Sequence, residues 1–389
     1  MSDEIAVFNS AQLGALITAQ LAALTGGDLS GLDGTQIGGT GTANIANMTT
    51  AEIAALGTDL IQGLSTAQIR ALGTDDIVAL TDTQIEALRA AQVGAFTTTQ
   101  LAAFSTADLN LLSSAQAGGL TSAQIASLST ATLVALGTEQ YSGLGSAQLA
   151  GLTTDQMPAL ATEDLVALRA NQIVGLRTSA IIALESAQVA ALTTDQLNAL
   201  TTAQIRAMEG NDLAAIASER FGTLGTAQIA ALTTAQLDSL SSAQLLALGT
   251  AQTAALTTAQ LASLGGDELA RFGTATFAAL TTAQVASLNA DQAASLQTAD
   301  IAALGTAQVR AINSAALAAF NAEQLGAFTS DQLRALTVQQ LRAVENDDLA
   351  GLTSADIGVL LTAQLTALTT AQLNALSPEQ LVGLTTEQV

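Results

Sequence analysis

A large apolar residue stands at every eighth position of the chain, from Phe8, Leu16, Leu24 and Leu32 to Leu376 and Leu384, with Thr40 the one polar interruption. Numbering each octad from that residue, position 6 is a second Leu, Ile or Val, and position 8 is almost always Ala, Gly or Ser. Positions 2 and 3 are small, Thr and Ser above all; position 4 is commonly Ala, Asp or Glu, and position 5 is usually Gln. Leu232-Thr233-Thr234-Ala235-Gln236-Leu237-Asp238-Ser239 shows the pattern. An unbroken short period marks a quasi-one-dimensional array in which each repeat leans on its neighbours.

Each octad reads as a fresh helix start. With position 2 as N-cap, Thr-x-x-Gln is a capping box, and the apolar residues at positions 1 and 6 fall at N′ and N4 as a hydrophobic staple. Ser377-Pro378-Glu379-Gln380 fits, with Ser as cap and Pro at N1. The register one residue later is equally open. There the strict Thr/Ser of position 3 caps the helix, and Gly57, Gly73, Gly137 and Gly249 close the preceding turn. A continuous helix is excluded, because about 100° per residue would carry the apolar pair round the axis without forming a stripe. The expected fold is all-α, a solenoid of short helical turns, one per eight-residue repeat. A β-solenoid is the alternative, since positions 4, 6 and 8 alternate like a strand. Charge at position 4 (Asp59, Glu139, Asp155, Glu323) and the Ala, Leu and Gln content favour the helix.

The expected organisation is a lead-in at residues 1–7 and a single octapeptide-repeat solenoid at 8–389, with looser Gly-rich coils at 25–47. A second loosening is expected from Met208 to Thr223, where Arg220 replaces Gln. Pro158 predicts a turn that is not regular α-helix. Phe96 with Phe104, Phe272 with Phe277, and Phe320 with Phe328 are expected in the core.

Composition then removes most chemistry. The chain has no His, Cys, Trp or Lys, so Ser-His-Asp, Cys-His and Schiff-base arrangements cannot form. The doubled carboxylates Asp75-Asp76, Glu163-Asp164, Asp267-Glu268 and Asp347-Asp348 sit at positions 4 and 5, where the helix dipole accounts for them. No calcium-loop or phosphate-loop motif is complete, so no catalytic, cofactor or metal residue is assigned, and the expectation is a protein that is not an enzyme and takes no cofactor. A net charge of -23 argues against nucleic acid, and no apolar run is long enough for a membrane span. Arg206, Arg310, Arg334 and Arg342 share position 7 and read as solubilising, with Asp331 and Arg334 three residues apart on one helix surface.

The Leu-Thr-Thr-Ala-Gln-Leu-x-Ala tracts of residues 8–389 resemble the octad arrays of large bacterial surface proteins of adhesion or haem-utilisation type. The resemblance implies a structural role outside the cell. The haem label finds no ligand set here, with Tyr141 and four Met the only candidates. The expected function is a non-enzymatic, self-associating rod, filament or stalk of a bacterial surface structure. It would reach the cell surface without a cleavable signal peptide and form homo-oligomers by end-to-end stacking. The last octad, Leu384 to Val389, shows no polar capping repeat, in keeping with that expectation. The alternative is a Thr ladder that binds ice or carbohydrate; a hydrolase using carboxylates alone comes third.

Overall fold

A computed structural model describes residues 7–16, 20 and 31–389. Part of the expected lead-in and of the Gly-rich coils lies outside them. Among the described residues each octad from Leu32 to Gly383 carries one short helix, 3-10 at Met157–Ala159 and Asp348–Gly351, and there is no strand, so the solenoid is helical and the β alternative falls.

The octad accounts for the helix residue by residue. In Ser65 to Leu72, Ser65 at position 2 is extended (φ -70°, ψ 160°) and its Oγ accepts the Gln68 N–H at 3.3 Å. Gln68 Oε1 accepts the Ser65 N–H at 2.7 Å, closing the capping box. The helix runs Thr66–Ala71 and stops at Leu72, whose φ of -62° and ψ of 138° leave the helical region. Leu72 is thus both the C-cap of one helix and the residue before the N-cap of the next. The cap therefore stands at position 2. The later register required a glycine C-cap, but no described glycine has a positive φ; Gly57, Gly73, Gly137 and Gly249 are extended N-caps.

Helices this short have no stability of their own and form only by packing. Within each compact unit a helix lies on the helix 24 residues earlier, as Asp82–Ala87 lies on Thr58–Gly63 and Thr250–Ala255 on Thr226–Ala231, so one coil is three octads. Positions 1 and 6 point inward: Ile53, Leu64, Ile69 and Ile77 are buried, as are Leu237, Leu261 and Leu333. Positions 2, 3, 4 and 7 are mostly exposed, and position 8 lies at the contact between coils.

The chain forms two compact units, residues 1–207 and 208–389. In the first, Tyr141 is fully enclosed, Phe96 and Phe104 meet edge to face at 5.1 Å, and Pro158 falls in a 3-10 turn, Met157–Ala159. In the second, Phe221 is fully enclosed, and Phe272–Phe277 and Phe320–Phe328 pair at 6.4 and 5.9 Å. The stretch from Met208 to Thr223, where a loosening is expected, begins at the division between the two units. It forms helices Gly210–Ala214 and Ser218–Phe221, with Met208, Leu213, Ile216 and Phe221 buried, because apolar residues still occupy positions 1 and 6. The described part of the Gly-rich segment carries helices at Gly34–Gly38 and Thr42–Ala46.

Candidate functional site

The polar residue that defines this fold is the Gln of position 5. It is a capping residue by sequence, yet it is buried in octad after octad: Gln92 is 0% exposed, and Gln68, Gln172, Gln196, Gln292 and Gln372 are each 1%. One end of the amide serves its own helix. The other end crosses to the coil before. Gln84 Oε1 accepts the Thr81 N–H at 2.8 Å, while Nε2 donates to the Ile53 and Leu56 carbonyls, both at 2.8 Å. Those carbonyls lie 31 and 28 residues back, at positions 6 and 1. They belong to the C-terminal turn and C-cap of a helix, where few backbone donors remain; the Ile53 carbonyl also accepts the Leu56 N–H at 3.2 Å. The amide thus joins the N-cap N–H of one helix to carbonyls at a helix end in the neighbouring coil. Gln100, Gln204, Gln260, Gln332 and Gln380 repeat this with the same offsets.

In several octads where position 5 is not Gln, another side chain reaches one of the same carbonyls. Asn44 Nδ2 donates to the Leu16 carbonyl, 28 residues back, at 3.0 Å. Ala180 has no donor, and Arg177 of its own octad supplies the Leu152 carbonyl at 3.3 Å. Ala316 has none either, and Asn313 supplies Leu288 at 2.6 Å. Asp164 cannot donate as a carboxylate, and the Tyr141 hydroxyl donates to Leu133, 31 residues before Asp164, at 2.8 Å. The one tyrosine of the chain therefore completes a rung. Burial, with the nearby Asp164 charge, pushes its phenol above the ordinary range. At Thr132 the rung is not rebuilt in this way, and a cavity of about 130 Å³ lies among Leu101, Phe104, Ser127, Ser129 and Thr132. Leu101 and Phe104 stand 31 and 28 positions before Thr132, so theirs are the carbonyls that a Gln in its place would meet.

The acidic pairs split by position. Asp75 and Glu163 at position 4 face solvent, whereas Asp76 and Asp164 at position 5 are buried in the glutamine's place. Burial raises both buried carboxyls; the Gly73 N–H partly offsets this for Asp76, while Asp75 and Glu163 add to it for their neighbours. Both members of these two pairs lie in the first helical turn, as the dipole reading expects, and burial of the second is an addition to it; Glu268 and Asp348 of the other two pairs are half-buried. Asp300, alone in its octad, is raised to about 6 by burial, only partly offset by a hydrogen bond from the Gln297 backbone. Arg334 and Arg342, at position 7, also bond to the next coil. Arg334 Nε donates to Val359 and Arg342 Nε to Ala367, at 3.2 and 2.8 Å, each 25 residues ahead. Among the described residues no group of three or more carboxylates could hold a metal ion.

Position 5 was legible in the sequence as a cap, which is only half of its role. The signal for the other half is that Gln persists where Glu would cap equally well; a buried amide supplies the donor that Glu lacks.

The family model for the ALTTAQ repeat matches residues 59–90, 74–106, 93–130, 128–162, 157–194, 183–209, 205–242, 293–330 and 360–389. A comparison with curated proteins finds no match. The motif name spells positions 8 to 5 of the octad, the small contact residue, the staple, the cap and the bridging amide, and the chain belongs to the ALTTAQ repeat family.

Proposed function

We propose that this protein is a non-enzymatic structural element, a self-associating filament or stalk of a bacterial surface structure. The observation that carries the reading is the glutamine ladder. The polar side chain most strictly repeated is spent on joining coil to coil, which builds length rather than a reaction centre. Exposure in the last octads adds to it. Leu373 and Leu381 occupy position 6, buried in the coils before, and are 44% and 42% exposed. A further coil, from a second copy or from more of the same polypeptide, would cover them. Contacts between unlike faces propagate rather than close. The acidic charge opposes association, and salt relieves that repulsion. Light scattering and electron microscopy of the purified chain should show linear oligomers growing with concentration and with ionic strength. Leu381→Asp combined with Leu384→Asp should stop growth. A strict monomer at high concentration and high salt overturns the self-association. No helix among the described residues is long and apolar enough to cross a membrane.

One observation favours a second reading, a lattice-binding face. Position 3 is not the cap, so its strict Thr/Ser usage is not explained by capping. The three-octad coil places Thr106, Thr130, Thr154, Thr178 and Thr202 on one side of the first unit, and Thr226, Thr250, Thr274 and Thr298 on one side of the second. Ala227, Ala251, Ala275 and Ala299 stand beside the latter, all exposed. Repeating uncharged Thr-Ala rows suit a regular surface such as ice or crystalline polysaccharide. Inhibition of ice recrystallisation, lost on replacing alternate threonines of one column by Lys, supports this reading; no inhibition and no sedimentation with insoluble polysaccharide dismisses it.

A further inference from the structure

Asp300 is the one described side chain with a buried polar atom, Oδ2, that has no hydrogen-bond partner. It is 2% exposed and holds the position of the bridging Gln. A Gln there would donate to the carbonyls 31 and 28 residues back, those of Leu269 and Phe272. A carboxylate offers only acceptors, and placed against carbonyls it makes a slot of acceptors alone, which is strongly unfavourable in a buried setting. Gln297 Nε2 reaches the intervening Ala270 carbonyl at 2.9 Å but does not supply Oδ2.

We infer that Asp300 is a proton-operated rung: its neutral carboxyl donates to the coil before it as a Gln would, and its carboxylate breaks that link. The inference needs no particular biological role for the array. The surroundings offer no charge that would hold the carboxylate. Helix Thr298–Ala303 packs on Thr274–Ala279, which carries no charged residue, and on Ala322–Gly326, which carries the exposed Glu323. In the segment before the slot, Asp267 is exposed, Glu268 accepts the Gly265 N–H at 2.8 Å, and Arg271 donates to the Ser242 hydroxyl. In the flanking octads, Asp291 and Arg310 are exposed.

The direction follows from the raised carboxyl. Asp300 ionises near 6 in the fold against 3.8 otherwise, so its stabilising contribution is fully present below about 4 and is lost as pH rises through about 6. Carbon-detected NMR of the full chain, following the Asp300 carboxyl, should give a midpoint near 6. Amide protection of residues 298–304, corrected for intrinsic exchange, should fall by up to about a hundredfold between pH 4 and pH 8, because linkage gives about tenfold for each pH unit separating the folded and unfolded midpoints. Asp300→Asn keeps the size and supplies a donor at every pH. Relative to that variant, the wild type should come closest below pH 4 and melt lower at pH 7.5. A carboxyl that titrates near 4, or a gap between wild type and Asp300→Asn that is the same at both pH values, overturns the inference. If the variant does not fold, the wild-type carboxyl titration alone decides.

Discussion

A Gln at position 5 carries three hydrogen bonds in a nearly dry place, so its loss should cost more than the loss of the cap beside it. Gln204 accepts the Thr201 N–H at 2.9 Å and donates to Ile173 and Leu176 at 3.0 and 2.8 Å. Gln204→Met keeps the volume and leaves buried carbonyls without that donor, so thermal or urea unfolding should show a loss of about 2–4 kcal/mol, against about 1 for Thr201→Ala. The reverse substitution should gain. Thr132→Gln fills the cavity beside Leu101 and Phe104 and adds the missing donor, for an expected gain of about 1–2 kcal/mol. The rebuilt rung at Asp164 allows a sharper check. Tyr141→Phe should cost about 1–2 kcal/mol by removing the donor to Leu133, and Asp164→Gln should restore it. A double-mutant cycle with no coupling between these two sites would contradict the shared carbonyl.

For the single helix, the choice between Gly and a larger residue depends on which end of the octad it occupies. Gly273 is an N-cap with open space around a would-be Cβ. Gly273→Ser supplies a capping oxygen and restricts the unfolded chain, and should stabilise by about 0.5–1 kcal/mol in denaturant melts. Gly143 is at position 8, where an added Cβ would collide with the Ser114 backbone carbonyl of the coil before. Gly143→Ala should cost about 1–3 kcal/mol, since the coils must separate locally. Position 8 as a contact of small residues was legible from its Ala/Gly/Ser restriction. Which octads bring their backbones closest was not, because that depends on the residue facing it 29 positions earlier.

At the scale of the whole molecule the repeating unit is the coil rather than the octad. Removing 24 residues in frame, such as 226–249, returns each rung to an equivalent partner on the same side. Removing one octad, such as Leu232 to Ser239, keeps every Leu in frame but pairs residues that no longer complement one another. Removing a single residue turns the apolar pair out of the core. Melting temperatures should therefore fall in the order 24-residue, eight-residue, one-residue deletion. Equal losses for the eight- and one-residue deletions would contradict the repeat, and a larger loss for 24 than for eight would contradict the three-octad coil.

The helical class, the helix spacing, the capping box and the apolar seam could all be read from the order of residues, because spacing and capping chemistry set them within eight positions. The cap register stayed open between positions 2 and 3, since both carry Thr and Ser; the extended backbone at position 2 resolved it. The three-octad coil emerged only from packing, because near-identical octads leave no mark of which one lies beneath. The same holds for the second half of each glutamine's role, the tyrosine that stands in for one, and the buried carboxyl of Asp300. Each turns on a carbonyl roughly thirty residues before the position 5 residue it concerns, for Tyr141 the Leu133 carbonyl 31 residues before Asp164, and that pairing is set by the packing of coils, not by the order of neighbours.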